Sequence, residues 1–142
     1  MTNATAEINV GAGTSIDGNS VSFESYADTE STVTTLGTAL AVAYGESNPH
    51  AKVILNDGVS INTADGDITV NALANSVLEV AAKQGLYPQK SQSNFDITLA
   101  AGLADIQSIV EIASGANLTS GCLLYTSPSP RDATLSRMPS SA

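Results

Sequence analysis

Four aspartates in this sequence stand beside a glycine. Asp17 precedes Gly18, Asp57 precedes Gly58, and Asp65 and Asp67 flank Gly66. Paired carboxylates can carry general acid–base work on a glycosidic bond, and carboxylates that converge at one edge can hold calcium. Their neighbours point elsewhere. Asp and Asn next to Gly are the residues that sharp corners need, so these four read as turn formers. Asp57-Gly58 and Asp65-Gly66-Asp67 offer oxygen ligands, but the nonapeptide G-G-x-G-x-D-x-U-x of calcium-binding β-rolls is absent. His50 is the single histidine and follows Asn48-Pro49, where it reads as a solvated loop residue. One histidine makes neither a metal cluster nor a triad. GAGTS, from Gly11 to Ser15, lacks the lysine and the spacing of a phosphate loop. Asn3-Ala4-Thr5 and Asn117-Leu118-Thr119 match the glycosylation triplet, which is short and frequent by chance. Both arginines lie near the C-terminus, at Arg131 and Arg137, so none is present earlier to grip a uronate carboxylate with two parallel hydrogen bonds. The expectation is no catalytic residue, no metal ligand, no cofactor and no enzymatic activity.

What these residues punctuate is a repeat. AEINVGAGTSI (Ala6 to Ile16) lines up with AKVILNDGVSI (Ala51 to Ile61), and SIVEIASGANL (Ser108 to Leu118) keeps the same frame. Copies start near residues 6, 51 and 108, with steps of 45 and 57 residues. Two further blocks recur in order. NSVSFESYAD (Asn19 to Asp28) aligns with GDITVNALAN (Gly66 to Asn75). ALAVAYGESN (Ala39 to Asn48) aligns with DITLAAGLAD (Asp96 to Asp105), so Leu40 and Val42 meet Ile97 and Leu99, and Gly45 meets Gly102. The extra length of the second step falls around QGLYPQKSQSN (Gln84 to Asn94), which reads as an inserted loop.

Within each block apolar residues recur every second position: Ile8 and Val10, Val53 and Leu55, Val110 and Ile112. That is strand periodicity. The corners are Gly11-Ala12-Gly13, Asp17-Gly18-Asn19, Asn56-Asp57-Gly58, Asp65-Gly66-Asp67 and Ser114-Gly115. NALANSVLEVAAKQG (Asn71 to Gly85) and GLADIQSIVEIAS (Gly102 to Ser114) can also be drawn as amphipathic helices. The alignment favours strand in the second from Ser108 onward, and context favours strand in the first. Strands of this kind belong either to an antiparallel sandwich or barrel, or to a parallel β-helix in which equivalent positions stack in like-with-like columns. The repeated eleven-residue string favours the β-helix. The expected columns are Ile8, Val53 and Val110; Ile16, Ile61 and Leu118; and Ser15, Ser60 and Asn117. A step of 45 or 57 residues suggests two coils per repeat. Inward Val, Ile, Leu and Ala suggest a narrow dry interior.

The pattern A-x-V-x-I-x-x-G-A-x-I, then G-D-I-T-V-x-A-x-A, then an Ala-rich strand resembles the repeat region of leukotoxin-type filamentous adhesins, similar to filamentous haemagglutinin and other large bacterial exoproteins. The resemblance covers most of residues 4–120 and rests on repeat grammar rather than on a catalytic motif. It implies an all-β fold, a right-handed parallel β-helix, in the shaft of a secreted or cell-surface protein that supports adhesion. It also implies host cell-surface or matrix ligands for the full-length protein, and an outer-membrane secretion partner. The alternative is a fragment of a β-helical polysaccharide-active enzyme. An independent β-sandwich binding module is a third reading, distinguished by antiparallel neighbours.

The last stretch departs from this grammar. CLLYTSPSPRD (Cys122 to Asp132) and SRMPSSA (Ser136 to Ala142) resemble one translated frame of a DNA-sequencing library adapter and its following primer region, with Ala133 to Leu135 in the place of the index. The expectation is a repeat fragment over 1–121 and a disordered, non-native tail over 122–142, with a native protein continuing past Gly121. Without the tail there is no cysteine and no arginine, and the formal charge moves from −9 to −10 because two arginines and one aspartate go. Zero cysteine excludes disulfide scaffolds and thiol chemistry. So acidic a chain repels phosphate backbones, so no nucleic-acid partner is expected. No apolar run approaches the roughly 20 residues of a membrane helix, so no membrane insertion is expected.

Overall fold

The computed structural model describes residues 1–37, 40–84 and 97–126. Ten strands follow in chain order: β1 (Thr2–Val10), β2 (Ser15–Gly18), β3 (Val21–Gly37), β4 (Leu40–Leu55), β5 (Ser60–Thr63), β6 (Asp67–Gln84), β7 (Ile97–Ala104), β8 (Gln107–Ile112), β9 (Asn117–Thr119) and β10 (Cys122–Thr126). Among the described residues there is no helix. The Asn71–Gln84 stretch lies within β6 and is strand, as the context argument holds. The inserted loop expected around 84–94 lies, from residue 85, outside the described residues.

The chain visits three sheets in a fixed cycle. One sheet takes β1, β4 and then β7 with β8; a second takes β2, β5 and β9; a third takes β3, β6 and β10. Every pairing of defined register is parallel. Parallel neighbours are what a sandwich of hairpins does not have. The register follows the repeat. Ser15 faces Ser60 and Ile16 faces Ile61; Ser60 in turn faces Asn117 and Ile61 faces Leu118. Val53 faces Val110, and Leu40, Val42 and Gly45 face Ile97, Leu99 and Gly102. Each repeat passes once through each sheet, which corrects the expectation of two coils per repeat. The reason is strand length: β4 has 16 residues and β6 has 18. One pass through the three sheets therefore absorbs a repeat that short strands would have spread over two.

Isolated backbone bonds keep the same step. Asn56 N donates to Val10 O and Ser60 N to Thr14 O. Asp105 N donates to Ser47 O, Ala113 N to Leu55 O and Asn117 N to Val59 O. In each, the donor reaches the carbonyl just before its counterpart in the preceding copy, the slanted pattern of a parallel ladder.

Three equivalent corners close with one bond each: Thr14 N to Gly11 O, Val59 N to Asn56 O and Ala116 N to Ala113 O. Gly13 and Gly58 have φ of 72° and 71°, and among the described residues no non-glycine has positive φ. Positive φ at the third turn position alone is the type II pattern, which explains glycine there. A Cβ on Gly66 would overlap the carbonyl of Asn19, so that corner also needs glycine, for space.

Pro49 shapes the first sheet. Ser47 pairs with Ala104 and His50 with Gln107, which leaves Asn48 and Pro49 opposite Asp105 and Ile106. Asp105 N bonds Ser47 O. The next bond of a parallel ladder would run from residue 49 to the carbonyl of residue 105, and proline has no N–H. The partner ladder breaks there into β7 and β8. His50, expected in a loop, is instead a half-buried residue within β4. Proline's φ suits an extended chain, so β4 runs on where its partner strand does not.

The tail expectation is corrected in part. Cys122–Thr126 forms β10, parallel to β6, with Leu123 opposite Ile68 and Tyr125 opposite Val70. CLLYT is apolar and free of proline, so its backbone can extend the edge of β6 whatever its origin. Residues 127–142 lie outside the described residues.

The chain divides into two compact units. The first holds Met1–Ala4, Asp28–Pro49 and Asn75–Ile106; the second holds Thr5–Ala27, His50–Ala74 and Gln107–Ala142. The second unit's interior is aliphatic: Val53, Leu55, Val59, Ile61, Ile68 and Val70 are essentially inaccessible. Burial of each such side chain contributes about 1.5–3 kcal/mol. The first unit's interior is built from smaller residues: Ala41, Ala43, Thr29 and Ser47 are buried there.

Candidate functional site

The aspartates singled out in the sequence are all exposed. Asp57 occupies the turn after β4, Asp65 the bend before β6, Asp67 the first position of β6 and Asp17 the end of β2. Asp17 accepts a 3.4 Å hydrogen bond from Asn62 Nδ2 in the neighbouring copy. A Cβ on Gly115 would overlap the Asp57 carboxylate, so this side chain leans over the equivalent corner of the next copy. Among the described residues, no group of three or more His, Cys, Asp or Glu side chains could hold a metal ion. The second unit also contains a 3.0 Å ion pair between Lys52 Nζ and Glu111 Oε2. Both partners are partly exposed, so the pair contributes little.

What the structure does bring together is polar ladders between copies. Asn56 Nδ2 donates to Asn9 Oδ1 at 2.6 Å and Asn48 Nδ2 to Asn3 Oδ1 at 3.1 Å. Asn75 Nδ2 donates to Asp28 Oδ1 at 3.3 Å. Each joins residues 45 or 47 positions apart. Amide side chains stacked along a parallel sheet repeat the backbone ladder one layer out, where water competes for them. Not every carboxylate is at a corner: Glu24, Asp28 and Glu30 are exposed within β3.

Hydroxyls bridge sheets inside each unit, a feature the sequence reading missed. In the second unit, Ser25 Oγ donates to Ala6 O at 2.8 Å and accepts from Lys52 N at 3.2 Å. Those are the two backbone groups that the 45-residue step would pair directly. In the first unit, Thr29 Oγ1 and Ser47 Oγ share a 2.6 Å hydrogen bond, and Ser47 Oγ and Ser76 Oγ share one of 2.7 Å. A buried hydroxyl is tolerated when it is bonded. The only available signal was their odd or even position in the strand, which sequence alone does not label as inward.

The first unit turns its larger side chains outward on β4 and β7. Leu40, Val42 and Tyr44 of β4 are exposed, while Ala41 and Ala43 are 1% and 2% accessible. Their partners Ile97 and Leu99, with Leu103, are exposed as well. Leu40 and Val42 do meet Ile97 and Leu99, but on the outer face. The small column has a cause. A Cβ on Gly45 would stand 2.7 Å from Val80 Cγ2 and 3.0 Å from Leu78 Cδ1, and one on Gly102 would stand 3.1 Å from Leu78 Cδ2. Leu78 and Val80 of β6 fill the space that side chains at 45 and 102 would need.

Compared with family models, with curated proteins and with solved structures, the chain finds no match.

Proposed function

We propose that the chain is a segment of a parallel β-helical shaft from a secreted or surface-displayed bacterial filamentous adhesin. Its role is mechanical and presentational: stacked copies hold adhesive elements away from a cell surface. The observation that supports this reading is the register. In two of the three sheets equivalent residues stand side by side at steps of 45 and 57, and the third pairs β3 with β6 in the same order. Such a stack grows by adding copies, which suits a long shaft. The polar ladders between copies favour the same use, since each binds one copy to the next rather than converging on a cleft. In this reading the full-length protein meets host cell-surface or matrix ligands and leaves the cell through an outer-membrane partner. Residues from Cys122 onward are adapter-derived.

Long-read sequencing of the source locus tests the proposal. The expected outcome is a frame that continues past Gly121 into further copies of the A-x-V-x-I grammar. A native stop after residue 142, together with depolymerisation of a polysaccharide by the purified chain, would overturn it in favour of the β-helical enzyme.

A further inference from the structure

The outer face of β4 and β7 carries six large apolar side chains in register: Leu40, Val42 and Tyr44 on one strand, Ile97, Leu99 and Leu103 on the other. Leu40 and Leu103 are 60% accessible, Leu99 57% and Val42 49%. All six belong to the first unit. Among the described residues the face is two strands wide, and its carboxylates lie at one end: Glu46 opposite Leu103, and exposed Asp105 just past Leu103. Six half-exposed side chains of this size present on the order of 500 Å² of contiguous apolar surface, near the upper end of what a monomer shows.

We propose that this face is a homodimer interface, occupied by the same face of a second copy across a two-fold axis. Area is the first argument. Pairing two such faces removes on the order of 1,000 Å² from water, about the lower bound for a specific interface. Charge is the second. Each copy carries a net charge of −9, so most approaches of two copies are repulsive. Among the described residues, the acids on this side, Glu46 and Asp105, stand together at one end of the face. A two-fold axis through the Val42–Leu99 region sets the two Glu46 side chains at opposite ends of the contact, so they do not meet. Sheet geometry is the third. Parallel strands in register align their side chains in rows and columns, and an identical surface can interdigitate with them. The inference stands on this face alone and does not require the shaft reading.

Sedimentation velocity on the full chain over a concentration series tests it, with Val42→Glu/Leu99→Glu as the disrupting variant. Val77→Glu is the control, because Val77 is exposed on β6, away from this face. The expected result is a concentration-dependent dimer in the parent and in the control, and a dissociation constant raised roughly tenfold or more in the double variant. Should the double glutamate variant lose its β circular-dichroism signal, Val42→Thr/Leu99→Thr puts strand-favouring β-branched residues at both positions and is expected to weaken the dimer in the same direction. A parent that stays monomeric at high concentration overturns the proposal. So does a dimer that the double variant leaves unchanged, or open-ended oligomers that persist in it, since those would run through strand edges instead.

Discussion

The same two long strands build two different interiors. Where β4 runs from Ala51 to Leu55 in the second unit, its inward residues are Ala51, Val53 and Leu55, and β6 answers with Ile68, Val70 and Ala72. Where β4 runs from Ala41 to Ser47 in the first unit, its inward residues are Ala41, Ala43, Gly45 and Ser47, and β6 answers with Ser76, Leu78 and Val80. One interior is held by aliphatic bulk. The other is held by close approach around glycine and by bonded hydroxyls. Strand alternation is identical in both. What differs is which parity of residue is large, and so whether the bulky side chains face in or out.

Three substitutions would break or sharpen that contrast, each read as a change in urea unfolding free energy. The largest effect is expected for Leu55→Ala in the aliphatic interior, a loss of about 4 kcal/mol from lost burial and the cavity left behind. Gly45→Val probes the other interior from the opposite direction. Its side chain would collide with Val80 and Leu78, and overpacking is expected to destabilise by about 3 kcal/mol. If Gly45→Val proves neutral, the close approach does not hold the first unit together. Ser47→Ala removes the middle of the Thr29–Ser47–Ser76 chain and is expected to cost about 1.5 kcal/mol. A change as large as that of Leu55→Ala would mean that the hydroxyls, not the packing, dominate the first unit.

Legibility followed the same divide. The frame shared by AEINVGAGTSI, AKVILNDGVSI and SIVEIASGANL identified neighbours, and the Ser15–Ser60–Asn117 and Ile16–Ile61–Leu118 columns stand side by side in the structure. Repeats make this possible because a residue's partner is a copy of itself. Gly13 and Gly58 were legible as corners for the same reason that they are needed there, positive φ. His50 was not, because a proline before it usually signals a loop, and here only the partner strand gave way. Nor was Cys122–Thr126, whose vocabulary differs from the repeat while its apolar residues still suit a strand edge. The outer apolar face was not legible, because an apolar residue at every second position says only that those residues share a face.

By itself, then, the sequence determined strands, corners, parallel neighbours and their register. All of these depend on local backbone preference or on likeness between copies, which a linear string carries in full. The tertiary structure decided that each repeat passes once through the three sheets, because strand length depends on how far a sheet can continue to pair. It decided that Ala41, Ala43 and Gly45 turn inward while Leu40, Val42 and Tyr44 stay in water, because inside and outside exist only once Leu78 and Val80 arrive from another sheet. It decided that Ser25 stands between Ala6 and Lys52, a bond between three strands that no spacing along the chain encodes.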